Sequence, residues 1–162
     1  MIATSRRPNL GLDDQGLDSI VQMLNRLLAD EFVIYAKARN YHWNVTGPMF
    51  HSLHEVFEKQ YEEVDEIIDE AAERARMYGG RAIGSLAEFQ RETRLREQPG
   101  ELPEAERMIE NLCSDHESLI RALKGDIARC EELDDAMAAD YLTGVAEQHQ
   151  KMAWMLRAFL KG

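Results

Sequence analysis

The sequence predicts an all-α protein, a four-helix bundle whose middle connection is long and carries a short helix. Three observations predict it. Apolar residues recur at three- and four-residue steps through four long stretches, the spacing that lines one face of a helix. No stretch alternates apolar and polar residues as a half-buried strand does. The first and last breaks between stretches are short, whereas residues 79–102 separate the middle pair.

Taken in order, residues 1–11 lack periodicity and predict a flexible N-terminal tail ahead of a bundle domain at 12–162. The first helix is expected to start between Asp14 and Asp18, where acids suit an N-terminus. Its apolar line is Ile20, Met23, Leu24, Leu27, Leu28, Phe32, Tyr35 and Ala38, and it delivers His42 near its end. Thr46-Gly47-Pro48 breaks the pattern, with Pro48 placed to open the next helix. That helix carries Phe50, Leu53, Val56, Phe57, Tyr61, Val64, Ile68 and Ala72 and stops at Gly79-Gly80. Within the long connection, Ser85 is positioned to cap a short helix from Leu86 to Leu95. Pro103 suits the first turn of the next long helix, lined by Met108, Ile109, Leu112, His116, Leu119, Ile120, Leu123 and Ile127. A turn at Leu133-Asp134-Asp135 leads to the last helix, lined by Ala139, Leu142, Val145, His149, Met152, Leu156 and Phe159. Four long helices with one long middle link describe a ferritin-like bundle, because a simple up-down bundle needs no such link.

Composition narrows the function classes. At 162 residues the chain has a single-domain length, with 44% apolar residues for a core. Its net charge of −11 repels phosphate backbones and attracts cations, although a solvated helical exterior accounts for the same charge. Cys113 and Cys130 fall among helix-period apolar positions, which predicts buried thiols in a reducing compartment rather than a disulfide. No cationic-then-apolar leader and no membrane-length apolar run is present. The expectation is a soluble, cytoplasmic protein without a membrane partner.

The chemistry-bearing residues lie on both sides of the first break. If the chain after Pro48 is one helix, His54, Glu58, Asp69 and Glu73 fall at about 0°, 40°, 60° and 100° around it and share a face. Along the axis, however, the His54/Glu58 pair is roughly 22 Å from the Asp69/Glu73 pair. One subunit cannot close that gap. A twofold partner whose same helix runs antiparallel brings each histidine end against an acidic end, which predicts a metal site across a homodimer interface. Imidazole and carboxylate donors suit Fe(II), and also Zn(II) or Mn(II). Individually each residue has a plainer reading: His42 against a helix C-terminus, Glu58 and Glu73 as surface charges, Asp69 as an arginine partner. Di-iron sites inside one bundle use Glu-x-x-His pairs, and the chain has none.

The segment Tyr41-His42-Trp43-Asn44-Val45, with Gly47, Phe50 and Leu53-His54, then Asp69 and Ala72-Glu73-Arg74, resembles the signature of the Dps mini-ferritins. The likeness continues through Ser85-Leu86-Ala87-Glu88-Phe89 and Trp154-Met155-Leu156 and spans nearly the whole chain. It implies a hollow dodecamer with two ferroxidase sites at each twofold interface. In that pattern His42, His54 and Glu58 come from one subunit, and Asp69 and Glu73 from its partner. The implied activity is oxidation of Fe(II), usually with hydrogen peroxide, and storage of ferric mineral in the shell. Many members have Asp where this chain has Glu58, one methylene longer. Trp43, beside His42, is placed either as an electron donor or as interface packing.

Secondary signals follow. Glu62, Glu63 and Glu66 are candidates for mineral nucleation or for a solvated acidic face. Glu131, Asp135 and Asp140 surround the turn where family members place acidic pores, although helix capping accounts equally for Asp134 or Asp135. His51 rotates off the ligand face; His116 and His149 lie in core stripes. The family's other activity is DNA compaction, usually through basic tails. This tail offers only Arg6 and Arg7, followed by Asp13 and Asp14. DNA binding is therefore the alternative reading and is not favoured.

Overall fold

A computed structural model describes residues 7–160. Its helices are α1 (Asp14–Asn44), α2 (Phe50–Met77), α3 (Leu86–Glu92), α4 (Ala105–Glu132) and α5 (Ala136–Arg157). No strand occurs among the described residues. α1 packs on α2 and α4 on α5, α1 also touches α4, and the short α3 lies on α1. The predicted apolar lines meet in one core: Leu24, Leu27, Leu53, Phe57, Val64, Leu112, Leu119, Leu142 and Leu156 are sealed from solvent. Each such side chain contributes about 1.5–3 kcal/mol on burial. No described helix is long and apolar enough to cross a membrane.

The helix ends refine the sequence expectations. Asp13 caps α1, its Oδ1 accepting from the Gly16 N–H at 2.7 Å. Pro48 does not open α2. The Phe50 N–H bonds back to the Gly47 carbonyl at 3.0 Å, with Gly47 at φ +100°, so a closed turn precedes the helix and holds Pro48 outside it. α2 ends in a Schellman motif: Gly79 at φ +81° donates to Arg76 and Gly80 donates to Ala75.

α3 begins where expected, with a reciprocal Ser85/Glu88 capping box, but it stops at Glu92 rather than Leu95. The buried Asp30 of α1 captures the next residues. Its carboxylate accepts from Thr93 Oγ1 at 2.8 Å, the Arg94 N–H at 2.6 Å and Arg94 Nε at 2.7 Å, which draws the chain out of helical geometry. Arg94 also pairs with Asp126 of α4. Likewise, Pro103 lies just outside α4, because Glu104 is extended and its carbonyl accepts the first helical bond, from Met108.

The turn before α5 uses its acids structurally. Asp134, at φ +57°, occupies the left-handed position of a second Schellman motif. Asp135 is buried and caps α5, accepting from the Ala138 N–H at 3.0 Å. Asp135 is thus the α5 cap that its position also allowed. Glu131 and Asp140 remain exposed. Cys113 and Cys130 are both buried free thiols, and burial beside Asp135 pushes Cys130 up to about 11.

Candidate metal centre

His42 lies in the last turn of α1, and His54 one turn into α2. The Gly47 turn folds these ends together, while Leu53 and Phe57 anchor α2 in the core beside Tyr41. The two imidazoles stack at 3.7 Å between centroids, 19° from parallel. Nδ1 of His42 donates to the His54 backbone carbonyl at 2.8 Å, and Nδ1 of His54 donates to the His42 carbonyl at 2.8 Å. A carbonyl oxygen only accepts, so each Nδ1 carries a proton, and in the neutral imidazole Nε2 is the nitrogen left with a lone pair. A backbone acceptor on the second nitrogen is the arrangement that orients metal-binding histidines.

Glu58 follows on the next turn of α2, half-buried. The Tyr61 hydroxyl donates to its Oε1 at 3.3 Å, and the Tyr61 ring meets His42 edge-on at 5.4 Å. Burial and the adjacent Glu58 raise the Tyr61 pKa, keeping the hydroxyl a donor. Arg39 lies over the Tyr61 ring at 4.2 Å and donates to the Tyr35 hydroxyl at 2.7 Å. Tyr61 was read from the sequence only as a core position, and Arg39 was not singled out. The usable signals were local: Tyr61 is three residues after Glu58, and Arg39 three before His42.

Asp69 and Glu73 lie exposed further along α2, and neither makes an ion pair or side-chain hydrogen bond among the described residues. One subunit thus pairs His42 with His54, sets Glu58 one turn further along α2 and leaves Asp69 and Glu73 apart, roughly 22 Å along the helix. Within a single chain, no group of three or more His, Cys, Asp or Glu among the described residues is arranged around one metal position. Trp43 is 65% exposed, with Arg39 6.0 Å from its ring centroid.

The family model described as a ferritin-like domain matches residues 21–162. An uncharacterized low temperature-induced protein of Nostoc sp. is 44% identical over 96% of this chain and 88% of its own length. Among solved structures, a Dps protein from Bacillus brevis is 36% identical with a TM-score of 0.88, covering 93% of this chain and 100% of its own. The chain belongs to the Dps mini-ferritins. A Dps protein from Vibrio cholerae O1, described as a member of the ferritin-like diiron-carboxylate superfamily, superposes with a TM-score of 0.89 at 27% identity, covering 98% of this chain and 100% of its own.

The remaining candidates sort by position. In this mini-ferritin, Glu63 and Glu66 line a cleft of about 470 Å³ between α2 and α5 together with Glu70 and Asp140, while Glu62 does not. His51 is exposed and pairs with Glu55 at 3.6 Å. His116 and His149 are wholly buried and hydrogen-bonded, as their core stripes predicted. Arg7 lies 3.0 Å from Asp18 and 3.7 Å from Asp14; Arg6 is outside the described residues.

Proposed function

We propose that this chain is a cytoplasmic ferroxidase and iron store. It would take Fe(II) as substrate at sites shared across twofold interfaces of a dodecameric shell, oxidise it with hydrogen peroxide, and retain the ferric product. The observation that carries the reading is the reciprocal His42/His54 pairing, which uses each Nδ1 on a backbone carbonyl and leaves each Nε2 as the nitrogen available to a metal, with Glu58 one helical turn after His54. Asp69 and Glu73 of a partner subunit would complete a set of two imidazoles and three carboxylates. That donor set fits both Fe(II) and Fe(III), because hard oxygen anions stabilise the higher charge.

The reaction balances as two Fe(II), one hydrogen peroxide and two water giving two FeO(OH) and four protons. Each iron loses one electron and the O–O bond takes both, so no hydroxyl radical is released. The protein's part is to hold two reductants near one oxidant. Trp43 would act as an electron donor or as interface packing within this scheme.

The experiment is anaerobic Fe(II) loading followed by stoichiometric hydrogen peroxide, with ferric absorbance followed against a protein-free control. Fast oxidation with soluble, protein-retained iron is the expected result. A rate no greater than the control, or iron precipitated outside the shell, overturns the proposal.

A further inference from the structure

The seam between α1 and α2 has three rungs. Tyr35, Arg39 and His42 share one stripe of α1, and His54, Glu58 and Tyr61 share one stripe of α2. The outer rungs are both made. His42 stacks on His54 at 3.7 Å, and Tyr35 meets Tyr61 edge-on at 6.0 Å. The middle rung sets Arg39 at the level of Glu58, where a guanidinium and a carboxylate are natural partners. That pair is not formed, and no carboxylate among the described residues pairs with Arg39. Arg39 is drawn back instead. Its Nε donates to the Tyr35 hydroxyl, one turn earlier on α1, at 2.7 Å, and its guanidinium lies 4.2 Å from the Tyr61 ring centre. Glu58 is left with the Tyr61 hydroxyl, which donates to Oε1 at 3.3 Å.

The choice between these partners is finely balanced. A part-exposed cation–π contact and a part-exposed ion pair are of similar strength, so stacking on Tyr61 does not by itself outweigh Glu58. The hydrogen bond to Tyr35 favours the stacked state alone, because reaching forward to Glu58 takes Nε off a hydroxyl one turn behind it. The other state has a chemical consequence. A guanidinium forks onto both oxygens of a carboxylate and brings a fixed positive charge. On Glu58 it would compete with a metal ion for the same lone pairs and repel it as well.

We propose that Tyr35 is a positioning residue of the metal centre: by holding Arg39 on Tyr61, it keeps the Glu58 carboxylate open to a divalent cation. This role rests on Glu58 being a ligand of the proposed interface site. Without the Tyr35 hydroxyl, Arg39 advances onto Glu58. The site then loses the use of one carboxylate and keeps both imidazoles, so metal binding weakens without being abolished.

The probe is Zn(II), which takes imidazole and carboxylate donors without changing oxidation state. Equilibrium dialysis of the assembled full-length protein measures its binding, and the ions lost in His54→Ala are those of the interface site. Tyr35→Phe removes one oxygen from a half-buried ring and leaves the packing in place. It is expected to weaken this binding about 10-fold, the low end for outer partners of metal ligands. Arg39→Gln alone is expected to keep native affinity. The double variant Tyr35→Phe/Arg39→Gln is expected to regain it, because no guanidinium is then left to restrain. A packing defect would not be repaired by a second substitution, so the recovery separates positioning from a structural role. Native affinity in Tyr35→Phe overturns the proposal, as does a loss that Arg39→Gln fails to repair. A native protein with no His54-dependent Zn(II) overturns the ligand assignment itself, and this role with it.

Discussion

His42 and His54 hold each other in place: each ring's Nδ1 donates to the other's backbone carbonyl at 2.8 Å, and the rings stack at 3.7 Å. The pairing joins the end of α1 to the start of α2 alongside the core contact of Tyr41 with Phe57. Removing either ring deletes a proposed ligand, frees the partner residue's backbone carbonyl and takes away the stacking partner of the ring that remains.

His54→Ala is therefore expected to lower Fe(II) oxidation by at least the roughly 10–100-fold typical of lost metal-ligand orientation, with the oligomer intact by light scattering. Asp69→Ala should do the same. Subunits of the two variants refolded together should regain part of the rate, because some interfaces then combine an intact histidine end with an intact acidic end. Properly mixed shells that remain inactive would falsify the shared-site geometry.

Tyr61→Phe removes the donor to Glu58 while keeping the ring against His42 and Arg39. Since the bond is long, the effect should lie at the low end for outer partners of metal ligands, about 10-fold weaker Fe(II) binding. Titration of metal binding separates this from a packing defect, which would also lower Tm.

Acid stability carries a signature of His116. Its folded pKa is depressed by burial and by His149, so the unfolded chain binds the extra proton. Stability is full above the unfolded value of 6.5 and falls as pH drops below it, by about 1.4 kcal/mol per pH unit for one proton. Urea midpoints measured from pH 7.5 to 5 should show a shallower slope in His116→Gln than in the native chain. Equal slopes would mean that His116 is not neutral in the folded protein.

The two acids of the α4–α5 turn should respond in opposite directions. Asp135→Ala removes the α5 cap and is expected to cost about 1–2 kcal/mol. Asp134→Gly relieves a left-handed non-glycine residue and is expected to add about 0.5–1 kcal/mol. Thermal unfolding of the two variants side by side measures both signs.

Duplex DNA should be retained weakly in a gel shift and released as salt rises, because Arg7 already pairs with Asp14 and Asp18. An Arg6→Ala/Arg7→Ala protein should lose whatever retention exists. Unchanged retention in that variant would locate DNA contacts elsewhere on the shell.

Helix spacing, the two glycine breaks and the long middle link were enough to read the bundle, because amphipathic periodicity and turn chemistry are local. The His54, Glu58, Asp69 and Glu73 face was legible for the same reason: angle around a helix and rise along it follow from sequence separation alone. Other features depended on partners far away in the chain. α3 stops at Glu92 because Asp30, more than sixty residues earlier, takes the Thr93 hydroxyl and the Arg94 N–H. Asp135 proved to be a cap because the turn before α5 folds its carboxylate onto the Ala138 N–H. The Nδ1 proton of His42 and that of His54 were invisible until the Gly47 turn set each ring against the other's carbonyl. The sequence by itself determined which residues share a helix face. Only the tertiary structure decided which hydrogen bonds those residues make, because donors and acceptors on different helices meet only once the core has packed.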